Sequence, residues 1–161
     1  MVCAAVLMIA AAMASLNAQS ERVRIAVAEF DYSDTSGEQR DQAADHSRRL
    51  KAFAEMIRNE LASSGKYEVV AIDCAGKPCS AGTTAPADLF AAAHQAGARL
   101  ILYGGIQKLS TLIQHAKAEA IDVDANRLVF DRLMTFRGDT DESWAHAEHF
   151  LAREFLSRDV R

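Results

Sequence analysis

Asp31, Asp34, Glu38, Asp41, Asp45 and His46 crowd one stretch of this sequence, and such a density of carboxylates can bind a cation or a basic partner. His146 and His149 lie three residues apart, with Glu148 between them and Asp139, Asp141 and Glu142 just upstream. On a helix that spacing puts both imidazoles on one face, where a transition metal could take them with Asp141 completing the shell. The plainer alternative is a polar helix flank with its acids favourably placed at the helix start. Asp122-x-Asp124-x-Asn126 copies the first half of a calcium loop, but Arg127 and Leu133 occupy the positions that need Gly and Glu. A hairpin turn accounts for those residues better. Cys74 and Cys79 enclose Gly76 and Pro78, a spacing that suits a small structural disulfide and not a redox Cys-x-x-Cys pair.

Enzymatic signatures are missing. There is no Gly-x-Ser-x-Gly elbow, no Gly-x-Gly-x-x-Gly turn and no Gly-x-x-x-x-Gly-Lys phosphate loop. His94 and His115 have no neighbours that would define a triad. No catalytic residue and no cofactor site is therefore assigned.

The elements that must position these groups follow from periodicity. Residues 22–30 alternate as a first strand and run into a polar loop from Asp31 to Gly37. Leu50, Phe53, Ala54, Ile57 and Leu61 make the apolar stripe of a helix from about Asp45 to Ser64, with Gly65 as its left-handed cap. A strand at residues 67–72 precedes the cysteine loop, and Pro86 opens a second helix that ends at Gly97. Residues 99–109 form the most apolar strand, in which Gly104-Gly105 marks a bulge or a close backbone approach. Residues 112–123 and 127–136 read as a hairpin. Asp139 and Glu142 supply a capping box for a last helix whose apolar face holds Trp144, Ala147, Phe150, Leu151 and Phe155. The order β-α-β-α-β-β-β-α predicts a single mixed α/β domain, with a parallel start, antiparallel strands after it and helices packed on the sheet.

The chain has 161 residues, half of them apolar and a quarter charged, enough for one domain with a substantial core. A net charge of −4 and few aromatics argue against nucleic acid as partner. Residues 1–18 carry no charge and include an apolar run of signal-peptide length, with small residues before cleavage points near 14 or 18. The expectation is an exported protein whose mature part, residues 19–161, is a soluble periplasmic domain with no membrane span and a Cys74–Cys79 disulfide.

Ile25-Ala-Val-Ala-Glu-Phe-Asp31, the helix end Leu61-Ala-Ser-Ser-Gly65, Tyr67-Glu-Val-Val70 and Gly97-Ala-Arg-Leu-Ile-Leu-Tyr-Gly104 resemble a periplasmic domain class. That class includes the TolB N-terminal domain, CsgG and the penicillin-binding-protein activator lipoproteins. The stretch Phe136-Arg-Gly-Asp-Thr-Asp-Glu-Ser-Trp144 is similar to small exported bacterial proteins of a domain-of-unknown-function family. The resemblance implies a mixed α/β unit used for protein contacts in the cell envelope. The function expected is thus non-enzymatic binding of another envelope protein, through an exposed sheet edge or the loop carrying Asp31, Asp34, Glu38, Asp41 and His46. A small-ligand or metal-binding accessory role and an unrecognised hydrolase are the alternatives.

Overall fold

The computed structural model describes residues 22–158 and Val160; the expected leader lies outside the described residues. The chain runs β1 (Val23–Val27), β2 (Asp31–Asp34), α1 (Ala43–Ser63), β3 (Tyr67–Val70), α2 (Pro86–Gln95), β4 (Leu100–Lys108), β5 (Ile113–Asp122), β6 (Arg127–Arg137) and α3 (Asp141–Ser157). The six strands form one mixed sheet in the order β3-β1-β4-β5-β6, with β2 also on β4. β1 pairs in parallel with β3 and β4, while β4, β5 and β6 are successively antiparallel. This is the mixed α/β architecture expected from the order of elements.

Three local readings need correction. The start of the polar loop is a strand: β1 pairs with Leu100–Leu102, and after Ala28–Phe30 the chain rejoins β4 as β2, opposite Gly105–Lys108. The polar segment Asp-Tyr-Ser-Asp has little strand propensity of its own, so the free edge of β4 beyond β1 supplies the reason for its conformation. The first helix begins at Ala43, so Asp45 and His46 are helical and not in the loop. The last helix is capped by Thr140, which exchanges hydrogen bonds with Ser143; Asp139 is left free for other work.

α1 and α3 pack on one face of the sheet. Phe53, Ile57, Leu61, Trp144, Leu151 and Phe155 meet Ile25, Val27, Leu100, Leu102 and Phe130 there. Each such side chain contributes about 1.5–3 kcal/mol of burial. Ala116, Ala118 and Ala120 line the same face of β5 within that core. α2 covers the other face through Leu89 and Ala93 against Ala26 and Ile101. Gly104 is the close approach anticipated: a Cβ there would lie 2.1 Å from the Lys117 carbonyl oxygen and 2.8 Å from Phe30. Among the described residues no helix is long and apolar enough to cross a membrane.

Candidate functional site

β2 and β4 end side by side, and α1 and α3 begin above them. This end of the sheet gathers a buried polar cluster. Alternation along β4 sends Leu100, Leu102 and Ile106 into the α1/α3 core, and two residues later the same parity sends Lys108 inward. Its side chain is 0 % exposed. The ammonium donates to Glu38 Oε2 at 2.7 Å, to Asp139 Oδ2 at 2.8 Å and to the Gln42 amide oxygen. Burial alone would lower the Lys108 pKa, but the hydrogen bonds and charges of Asp139 and Glu38 outweigh it and raise it.

Asp139 is the counterpart. It accepts from Lys108, from His46 Nε2 at 2.8 Å, from Arg49 at 2.9 Å and from the Trp144 indole at 3.2 Å. Burial works against its charge, yet the bonds from Lys108 and His46 prevail and hold its pKa down to about 2. Because the ionised carboxylate can only accept, the proton of His46 lies on Nε2. That ring is 3 % exposed, stacks on Tyr32 with centroids 4.4 Å apart and faces Trp144 at 6.0 Å. The Tyr32 hydroxyl lies 3.3 Å from the same Nε2. Burial raises the Tyr32 pKa, and Asp34 and Asp139 raise it further.

The sequence candidates separate in space. Glu38 and His46 join the cluster. Asp31 instead accepts from Ser80 at 2.6 Å and the Gly82 N–H at 2.8 Å, tying β2 to the segment after the cysteine loop. Asp34 folds back on Ser36, whose hydroxyl and N–H hold its pKa below the usual range. Asp41 accepts from the Ala43 N–H at the start of α1. Both remain exposed, and Asp45 is half-buried beside Arg48. Asp141 is gripped by Arg48 and Arg49, each at 2.8 Å, whose hydrogen bonds bring its pKa down to about 2. His149 bonds Glu60 of α1 at 2.6 Å. Asp141 and His149 therefore face different partners on α1, and His146 has neither of those contacts. No group of three or more His, Cys, Asp or Glu among the described residues is arranged to hold a metal. Cys74 and Cys79 are disulfide-bonded, with Cα atoms 5.4 Å apart.

Sequence reading alone missed Gln42, Arg49, Lys108 and Asp139 as members of this cluster. Lys108 carried a signal, a charge at an inward parity of an apolar strand. Asp139 carried none that separates it from a helix cap. A different feature lies at the carboxyl ends of β1 and β3. There a crevice of about 520 Å³ is lined by Val27, Glu29, Arg58, Ile72, Asp73 and Cys79. Arg58 crosses it, donating to the Val27 carbonyl and to Glu29.

The fold has solved counterparts. The hypothetical protein CT253 from Chlamydia trachomatis is 14 % identical with a TM-score of 0.55, over 87 % of this chain and 96 % of its own. The LpoB C-terminal domain from Escherichia coli is 13 % identical with a TM-score of 0.51, over 70 % and 81 %. The PelC dodecamer from Paraburkholderia phytofirmans is 16 % identical with a TM-score of 0.51, over 84 % and 86 %. At these identities the likeness is one of fold. No curated protein matches the chain. The family model DUF3280, described as "Protein of unknown function (DUF2380)", matches residues 23–156, and the chain belongs to that family.

Proposed function

We propose that this chain is an exported, non-enzymatic adaptor domain that binds another protein of the cell envelope. One observation carries the reading: the ionisable groups at the carboxyl end of the sheet are spent on one another. Lys108 has three acceptors and Asp139 four donors, so neither is poised to attack a substrate or to relay a proton. What the cluster does is clamp. It fastens Glu38 and Gln42, and with them the loop from Thr35 to Gln42, to the end of β4 and the start of α3. A loop held in one conformation loses less entropy on docking, which favours binding. The exposed carboxylates of Asp34, at the end of β2, and of Asp41, in the loop, then face outward as a preformed acidic surface. The disulfide fits an oxidising compartment, in keeping with export to the periplasm. The resemblance to envelope contact domains and the fold shared with LpoB support the same reading.

Affinity capture from envelope extract tests it, using the chain and a variant with Asp34 and Asp41 changed to Asn. A single stoichiometric partner, lost or weakened with the variant, is expected. Recovery of no specific partner, or hydrolysis of generic ester or phosphate substrates, would overturn it.

A second reading rests on the crevice between β1 and β3. Their connections depart to opposite faces of the sheet, α1 to one and α2 to the other, and open α/β sheets bind small ligands at such points. In that reading Arg58, with Glu29 and Asp73 alongside, would meet the polar part of a small ligand. Thermal melting against a panel of metabolites and metal ions separates it, because a ligand of the native state raises the midpoint.

A further inference from the structure

β6 is the last strand of the sheet and spans eleven residues; among the described residues nothing pairs with its outer side. The opposite edge, β3, has only four. A row of unmatched N–H and C=O groups is a template for another strand, and natural edges are commonly shortened or covered to prevent that. β6 is neither. It is charged in one sense. Arg127, Arg132 and Arg137 recur every five residues, about 17 Å apart on an extended strand. The one acid, Asp131, is engaged by Lys117 of the neighbouring strand. Arg132 has Glu154 at 3.7 Å and is otherwise laid over the Phe150 ring, 5.5 Å from its centroid. Arg137 is exposed at the strand end. Apolar contact is available on both sides of the same edge. Leu133 is 58 % exposed and Leu128 also stands out on β6, while Phe150 is 41 % exposed on α3.

We infer that the β6 edge docks an extended, acidic segment of a partner protein by strand addition, its carboxylates meeting Arg132 and Arg137 and its apolar residues meeting Phe150 and Leu133. Backbone hydrogen bonds would supply affinity, and the arginines would select sign and speed encounter. The inference rests on the adaptor reading and names the chemistry of the partner.

Arg132 and Phe150 lie on the α3 face of the sheet and Leu133 and Arg137 on the other. The test therefore uses the isotope-labelled full chain and three synthetic ten-residue peptides that carry both residue types on both faces: a Glu-Glu-Val-Val repeat, a Lys-Lys-Val-Val repeat, and the acidic repeat interrupted by two prolines. Amide hydrogen exchange and chemical shifts are followed residue by residue. The uninterrupted acidic peptide is expected to slow exchange at every second amide of β6, and the other two peptides are not. R132E with R137E should weaken that binding by at least ~10-fold while leaving the exchange of β1 and β4 unchanged. Equal binding of the lysine peptide, or protection at β3 or a helix face, would overturn the inference. So would protection of β6 without any peptide in a chain that sediments as a dimer, since a second copy would then be the occupant. A partner captured through the Thr35–Gln42 loop with β6 unprotected would remove this inference and leave the adaptor reading. Acidic-peptide protection without any envelope partner would do the reverse.

Discussion

Replacing Lys108 by Met tests whether the polar cluster is a clamp. Methionine keeps most of the volume and removes the ammonium. Glu38, Asp139 and Gln42 then each lose a donor at once, and Asp139 keeps His46, Arg49 and Trp144. Removing one partner of a buried ion pair costs about 3–5 kcal/mol. The depression of Asp139 to about 2 from an ordinary 3.8 is worth about 2 kcal/mol for all its partners together. A loss of about 3 kcal/mol at pH 7 is therefore expected, or roughly 10 °C in Tm for a domain of this size. Urea unfolding followed by tryptophan fluorescence reads it directly, because Trp144 is the sole tryptophan and its indole bonds Asp139. The sign with pH is fixed as well. A carboxyl whose folded pKa is depressed stabilises above its unfolded value and loses that contribution as pH falls through about 2. The gap between wild type and K108M should thus be widest near neutrality, shrink as pH falls below about 4 and close near pH 2. A loss under 1 kcal/mol at pH 7, or a gap unchanged down to pH 2, would refute the clamp.

Glu148 on α3 is 2 % exposed, and its Oε1 has no hydrogen-bond partner. Burial, with the charge of Glu60 adding to it and His149 opposing it, pushes its pKa up to about 7. A carboxyl raised in the folded state costs stability as pH climbs from about 4.5 past 7, so E148Q should be more stable than wild type at pH 8, by about 1–3 kcal/mol, and equal at pH 4; chemical denaturation at both values checks it. G104A should lose about 2–3 kcal/mol or fail to fold, because its methyl group meets the Lys117 carbonyl and neither backbone can yield; thermal melting measures it. Changing both Cys74 and Cys79 to Ser should cost about 2 kcal/mol, the loop-closure entropy of a short ring, with the far-ultraviolet spectrum unchanged.

The elements that bury apolar faces were legible in the sequence. The α1 stripe through Phe53, Ile57 and Leu61 and the alternation in β1 and β4 lead to the observed core. Local chemistry was legible too: the glycine pair on β4, the asparagine turn before β6 and the cysteine pair each do what their spacing implied. Strand β2 was not, since only the free length of β4 makes Asp31–Asp34 extended. The cluster was half legible. Glu38 and His46 stood out as residues, but their partners Lys108 and Asp139 come from distant strand and helix boundaries that only the folded sheet brings within 3 Å. His146, His149 and Asp141 illustrate the converse. Helical spacing brought them near one another in sequence, while α1 engages Asp141 and His149 with different partners.

The most direct measurement is photo-cross-linking in the intact envelope from a reactive residue in place of the exposed Gln39, which leaves Asp34 and Asp41 in place. It is made in the otherwise native chain and in the E38Q background, which loosens the loop without emptying the cluster. A single adduct of defined mass, weakened by E38Q while the fold persists, is the predicted result. An absence of adducts, or an adduct indifferent to E38Q, would contradict the account.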